Sequence, residues 1–231
     1  MKALLLFTVI IGFSFFGHSQ SFEFWNSIGA KYKIGKRLTV AGSFTDRINN
    51  RGVKAFFPEL TSKLKITKWA SVSIDYRYVS KKENNGNYLG ANRFNFNARF
   101  KNSYKRIKYS CRFRYQMSSG GAPNQGYESD FDEAFRFKPA VTYNIKKSAF
   151  EPSFGIDFFY NPTHGVYGKR FDKVRYSIGS SIELGGPHTI EVSLKLDHKF
   201  NSSSNGNKLI FALAYELDLN EFLKGNRNSG L

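Results

Sequence analysis

The chain has 231 residues, one cysteine and a formal net charge of +17, with 35 lysines and arginines against 18 aspartates and glutamates. A single cysteine excludes a small scaffold held by internal disulfides. The length suits one large β domain or two small ones, and no Pro/Ser-rich linker divides it, so we expect one domain. So basic a chain could contact nucleic acid, anionic lipid or an acidic ligand.

The first residues have the order of a secretory signal peptide. Met1 and Lys2 lead into the apolar run "ALLLFTVIIGFSFF", and "GHSQ" follows it. This order predicts an exported protein, with a signal over residues 1–19 and cleavage after Ser19. The alternative is an uncleaved anchor, but the run of about 14 residues is shorter than the ~20 that a helix needs to cross a bilayer.

Beyond residue 20, polar and apolar residues alternate along almost the whole chain. In "ANRFNFNARFKN", residues 91–102, arginine, asparagine and lysine occupy one parity, and phenylalanine and alanine the other. Successive side chains of a β-strand point to opposite faces, so such a segment has one apolar and one polar face. The pattern predicts strands at 22–34, 38–47, 55–66, 71–78, 91–101, 108–115, 135–143, 150–158, 174–179, 190–197 and 209–218. We predict no helix after the signal, because no segment has a convincing helical period.

The connections between these strands alternate in length. Tight links occur at "IGKRL", "ITKWA", "NSYKRI", "NIKKSA" and "LGGPH", and longer polar loops at "DRINNRG", "SKKENNGNYLG", "SSGGAPNQGYESD", "NPTHGVYGKR" and "HKFNSSSNGNK". This alternation predicts a meander of about ten to twelve strands with short turns at one end and long loops at the other. If both chain ends lay at the short-turn end, the eleven segments would require one more strand or a first segment that does not cross.

The strand lengths and loops favour a membrane barrel. Strands of about nine to twelve residues match the ~9–11 that cross a bilayer at a tilt. Aromatic residues near strand ends are typical of the membrane interface; here they are Trp25, Trp69, Tyr88, Tyr104 and Tyr160. We therefore predict an all-β, antiparallel up-and-down transmembrane β-barrel over residues 20–219. Residues 220–231 form a C-terminal tail, which either holds a short final strand or trails away. The alternative is an exported, soluble ligand-binding barrel with its apolar residues inside.

Several segments resemble a known family. They are "FWNSIGAKYKIGKRLTV", "RFRYQM", "FEPSFGIDFFYN", "FDKVRYSIGSSIEL" and "HTIEVSLKLDHKFN", which together cover most of the chain after the signal. In this order they resemble a family of Gram-negative outer-membrane β-barrels catalogued as domain of unknown function 2490. The resemblance implies a barrel in the outer membrane. It implies neither catalytic residues nor a ligand.

The polar parity, which a membrane barrel directs into its lumen, carries charge of both signs. The lumen candidates are Arg77, Arg93, Arg99, Arg112, Arg114, Arg136 and Arg175, with Glu151, Asp157, Glu183, Glu191, Asp197, Glu216 and Asp218. Arginines dominate the middle strands and carboxylates the last third, so a basic wall would face an acidic wall across a closed barrel. Either the two walls pair and plug the lumen, or they line a narrow passage for small polar or anionic solutes.

The remaining positive charge lies at the tight links. These residues are Lys33, Lys36, Arg37, Lys65, Lys68, Lys105, Arg106, Lys108, Lys146 and Lys147. One rim is therefore cationic, and anionic lipid headgroups are the partner we expect there. Nucleic acid is not expected, because the aromatic residues and the arginines point to opposite faces of the strands.

Enzymatic signals are few, and we predict a non-enzymatic protein without metal or cofactor. A lipid-modifying enzyme of the outer membrane is an alternative, and His198 with Asp197 and Ser202 would be its candidate site. The histidine His164 and its neighbours lack the spacing of metal ligands. Cys111 falls on the apolar parity and is expected to act as a small apolar side chain.

Overall fold

A computed structural model describes residues 21–83, 85–120, 132–162, 170–200 and 206–228, with side chains up to residue 224. The predicted signal peptide lies outside these residues. The described chain forms eleven strands and one helix: β1 Ser21–Ile34, β2 Leu38–Asn49, β3 Gly52–Lys65, β4 Ala70–Lys82, β5 Tyr88–Tyr104, β6 Ile107–Ser119, β7 Ala134–Tyr143, β8 Phe150–Asn161, β9 Arg170–Glu183, β10 His188–Lys199, β11 Gly206–Asp218 and α1 Leu219–Asn228.

The strands form one closed barrel, which confirms the predicted all-β fold. Each strand pairs antiparallel with the next one along the chain, and β1 closes the barrel by pairing parallel with β11, from Ser21↔Lys208 to Lys31↔Asp218. The eleven predicted segments thus all take part in the barrel, and neither a twelfth strand nor an unpaired first segment is needed. Because the strand number is odd, the start of β1 and the end of β11 lie at opposite rims.

The two rims differ in their connections. The short-turn rim carries residues 35–37, 66–69, 105–106, 144–149 and 184–187, whereas the ends of β2, β4, β6, β8 and β10 lie at the opposite rim, which we call the loop rim. One predicted long loop is wrong, because "DRINNRG" is mostly strand with a two-residue turn at Asn50 and Arg51. Asn49 Oδ1 accepts a hydrogen bond from Arg51 N at 2.9 Å, and Gly52 takes the positive φ of 91° that closes the turn.

Exposure separates the two faces of the wall. On β5, Arg93 is 1 % and Asn95 is 0 % exposed, whereas the intervening Phe94 is 38 % exposed and Phe96 is 43 % exposed. The other strands repeat this arrangement, so that large apolar side chains cover the outside and polar side chains fill the inside. Such a distribution is the reverse of a water-soluble barrel, which buries its apolar parity.

The helix α1 corrects the prediction for residues 220–231, since the tail begins as a helix and not as a strand. Asp218 Oδ1 accepts hydrogen bonds from the backbone N–H groups of Asn220 and Glu221, at 3.1 and 3.4 Å, which caps the first turn. Asn220 also pairs with Lys33 of β1, accepting from its N at 2.6 Å and donating to its O at 3.0 Å. No helix in the described part of the chain is long and apolar enough to cross a membrane.

Candidate functional site: the barrel interior

The structure places the predicted lumen candidates on the inner face of the wall. Their register positions and exposure agree, and they divide into three groups by exposure. Those toward the loop rim are buried: Arg93, Asp157, Arg175 and Asp197. Those toward the short-turn rim are exposed: Arg99, Glu183 and Glu191. The others are half-buried: Arg77, Arg112, Arg114, Arg136, Glu151, Glu216 and Asp218.

Ion pairs and aromatic rings lie in the loop-rim half of the interior, and we call this cluster the plug. Arg175 donates through two guanidinium nitrogens to Asp197, and Lys173 Nζ lies 3.6 Å from the same carboxylate. Glu23 accepts hydrogen bonds from Lys208 at 2.9 Å and from Trp25 Nε1 at 2.8 Å. Because Asp197 and Glu23 each have more than one cationic or hydrogen-bond donor, the desolvation of these two charges is offset locally.

Aromatic rings on the inner face complete the plug. The guanidinium carbon of Arg47 lies 3.9 Å from the ring centroid of Trp25. Lys173 Nζ lies 3.8 Å and the Arg136 guanidinium 4.2 Å from the ring centroid of Phe159. These cation–π contacts stabilise arginine and lysine where no water reaches them. The prediction that Trp25 belongs to an interface belt is therefore wrong, since this ring is 8 % exposed and faces inward.

A second network surrounds Asp75 on the inner face of the adjoining strands β3 to β6. This carboxylate accepts hydrogen bonds from Arg114 Nη2 at 2.9 Å, Asn97 Nδ2 at 2.9 Å and Thr61 Oγ1 at 3.2 Å. Arg114 Nε in turn donates to Asn97 Oδ1 at 2.6 Å. The sequence candidates omitted Asp75, although it lies on the polar parity of its strand and that alternation was the signal that could have found it.

The ion pairs of the interior are local. Arg112 and Arg136 both contact Asp157, from β6 and β7 to β8, and Lys31 contacts Glu216 on the adjacent strand at 2.5 Å. The pairs that the structure defines join strands that are neighbours or next neighbours. The expected pairing of a basic wall with an acidic wall across the barrel is therefore wrong for these arginines. Arg112 and Arg136 instead pair with Asp157, which lies one or two strands away.

The short-turn half of the interior contains a cavity of about 360 Å³. On β5 the inner face passes from Asn97, 8 % exposed, to Arg99 and Lys101, which are both exposed, so the cavity opens toward the short-turn rim. Its charged lining is Lys31, Glu59, Lys63, Asp75, Arg99, Arg112, Arg114, Glu191 and Glu216. Small side chains form much of its β1, β2 and β11 wall: Ser27, Gly29, Ala41, Ser43 and Ala214. The interior is thus a cup with the plug as its floor.

The remaining sequence candidates do not come together. Asp197 points into the plug, whereas His198 lies on the outer face and its Nδ1 is 2.7 Å from Asn207 Oδ1. The structure therefore does not bring this histidine and this aspartate together as a catalytic pair, and Ser202 and His164 lie outside the described residues. Cys111 is half-buried on the outer face. Among the described residues no cluster of histidine, cysteine and carboxylates could hold a metal ion.

Comparison with known proteins identifies one family. A family model described as "Protein of unknown function (DUF2490)" matches residues 22–209, from the start of β1 into β11. The chain belongs to this family. No curated protein matches the sequence. The DUF2490 match covers β2 to β10 completely, together with β1 from Phe22 and the first residues of β11.

Proposed function

We propose that this DUF2490 protein is a non-enzymatic β-barrel of the outer membrane, exported by its N-terminal signal, with a lumen that the plug closes. The observation that carries the proposal is the apolar outer surface. Phenylalanine, tyrosine, isoleucine and leucine side chains are exposed on every strand from β1 to β9, as at Ile28, Leu60, Ile74, Phe113 and Ile178. Water disfavours such a surface by about 25 cal/mol per Å², whereas the hydrocarbon of a bilayer does not.

Two further features support a membrane location. The shortest strand, β7, has 10 residues, which is enough for the ~9–11 that a tilted strand needs to cross. Near the short-turn rim, Trp69 is 54 % and Tyr104 is 65 % exposed on the outer face, where a membrane barrel carries aromatic rings. The lysines and arginines of the short turns would then contact anionic headgroups of the inner leaflet. The soluble alternative needs the opposite parity, with phenylalanines inside.

The plug favours a closed lumen over a narrow passage. Buried inner-face residues lie on strands all round the barrel, including Ala55 on β3, Arg93 on β5, Phe159 on β8, Asp197 on β10 and Ile210 on β11. A continuous water path would expose some of these side chains. The passage for small polar or anionic solutes is the second candidate function, and the open cup at the short-turn rim is the observation that favours it.

The test is solubility and conductance of the refolded protein. We expect a folded monomer only in detergent or lipid, and aggregation when detergent is removed. In planar bilayers the proposal expects no steady conductance. A folded monomer that persists without detergent would contradict the membrane location. Stable, well-defined channel currents would instead support the passage and contradict the closed lumen.

A further inference from the structure

We propose that the cup binds a small soluble oxyanion of the phosphate or phosphomonoester class on its β3–β6 wall. The proposal goes beyond the membrane role and does not depend on it, since it rests on the register and lining of the interior. It is based on a cluster of lysine and arginine side chains, only some of which form ion pairs with carboxylates of the protein.

Cross-strand register places these cations in two adjacent rows. The upper row runs Lys65, Ser71, Arg99, Arg112 and Lys138 across β3 to β7. The lower row runs Lys63, Ser73, Asn97, Arg114 and Arg136 across the same strands. Neither row contains a carboxylate. Like charges directly opposite on neighbouring strands are destabilising, so Arg99 beside Arg112 calls for an anion nearby.

The protein supplies carboxylates to only part of this block. Asp75 holds Arg114, and Asp157 holds Arg112 and Arg136. Lys63 and Arg99 form no ion pair within the described part of the chain, and both line the cavity. These two side chains are therefore available to a ligand.

Two further groups point to the same ligand. The Nε of Arg112 is buried and has no hydrogen-bond partner among the described residues, although this arginine lines the cavity. Ser71, which also lines it, makes no hydrogen bond through its hydroxyl in the described structure. A buried donor without an acceptor is costly, and an oxyanion in the cup would supply acceptors to the Ser71 hydroxyl directly and to Arg112 Nε once that side chain turns toward the cavity.

The chemistry of these donors selects an oxyanion. Guanidinium groups present planar pairs of donors that match phosphate oxygens, and a lysine adds a point charge. β3 and β5 lie about 10 Å apart across β4, a gap that Lys63 and Arg99 can close with their long side chains over the small Ser71. Glu191 lines the same cavity and makes no ion pair among the described residues. It repels the ligand, whereas Glu216 is neutralised by Lys31 at 2.5 Å.

The experiment titrates inorganic phosphate into the refolded full chain by calorimetry, in a non-ionic detergent without lipid. We expect saturable binding, and a loss of about tenfold in affinity for both Lys63→Gln and Arg99→Gln, because each removes a charged hydrogen bond. Lys36→Gln is the matched control, since it removes the same charge from an exposed turn at the same rim. Glu191→Gln should strengthen binding, a gain that structural damage would not produce.

Three outcomes overturn the proposal. One is the absence of saturable binding by the wild-type protein up to about 10 mM inorganic phosphate. Another is an equal loss in Lys36→Gln, which would assign the binding to the diffuse charge of the rim. The third is saturable binding only to phosphatidylglycerol added to the micelles, which would place the anion in a lipid headgroup outside the cup. Migration of the unheated protein in a denaturing gel checks that each variant is folded.

Discussion

At the scale of single residues, the interior arginines differ in the number of acceptors that hold them. Arg114 is held by Asp75 and Asn97, and its side chain is 11 % exposed. Arg112 shares Asp157 with Arg136, so that carboxylate keeps a partner if Arg112 is removed. Arg99 is exposed and makes no ion pair within the described residues. The three arginines should therefore contribute unequally to stability.

Arg114→Ala should destabilise the barrel by about 3–5 kcal/mol, because it leaves Asp75 buried without its cation. Arg112→Ala should cost less, about 1–3 kcal/mol, and Arg99→Ala about 0–1 kcal/mol. Urea unfolding in detergent, followed by tryptophan fluorescence, measures the three differences. Planar-bilayer conductance should stay absent in all three variants. If Arg114→Ala is as stable as wild type and the conductance is altered, the closed lumen is contradicted and the selective passage is supported.

The outer face gives a second prediction at this scale. Phe96→Arg places a charge on the outer face of β5; if that face contacts lipid, as we propose, the change should cost about 2–4 kcal/mol near the bilayer midplane. Thr39→Arg is the control, because Thr39 lines the open cup and an arginine there reaches water. Folding yield into lipid vesicles compares the two. Similar yields would argue against a lipid-facing aromatic surface.

Single residues also mark the limit of what alternation predicts. Parity assigns a side chain to one face of its strand, and Arg93, Asp157, Arg175 and Asp197, all chosen from the sequence by parity, are buried. Parity says nothing of depth or partner, however, and Trp25 and Phe159 lie inside although they resemble the outer aromatic residues in type. Their role depends on cations from the neighbouring strands, Arg47 and Lys173, and those contacts form only when β1 pairs with β2 and β8 with β9.

At the scale of elements, the strands were predictable and the helix was not. A strand of ten or more residues repeats its period several times, whereas α1 has 10 residues and fewer than three turns of pattern. Its signal was the cap, with Asp218 followed by Glu221 at the spacing of a capping box. The pairing of β1 with β11 also lay beyond the sequence, since it joins residues almost two hundred positions apart.

The side chain of Asn220 extends the pairing of β1 beyond the last residue of β11. It bonds both the N and the O of Lys33, as a neighbouring strand would. Asn220→Ala should therefore release α1 from the rim, and trypsin should cut faster at Lys224. Glu221→Gln is the control, because that side chain is exposed and makes no hydrogen bond through its carboxylate in the described structure. Equal cleavage rates for the two variants would mean that packing, and not Asn220, holds the helix.

At the scale of the whole molecule, the odd number of strands separates the two ends of the barrel. Ser21 lies at the loop rim, and α1 follows β11 at the short-turn rim, where the cup also opens. The cationic turns suit the periplasmic side, since they would contact the anionic lipids of the inner leaflet. In that orientation the plug faces the cell exterior, and a solute can reach the cup only from the periplasm.

This orientation predicts which rim an impermeant reagent reaches. In a Cys111→Ser background, Arg51→Cys tests the loop rim and Lys146→Cys tests the short-turn rim, and both positions are exposed in turns. On intact cells a membrane-impermeant maleimide should label Arg51→Cys and spare Lys146→Cys; after the outer membrane is permeabilised, it should label both. The reverse pattern would invert the barrel and direct the cup outward. Labelling of both sites in intact cells would contradict the proposed location of the barrel in the outer membrane.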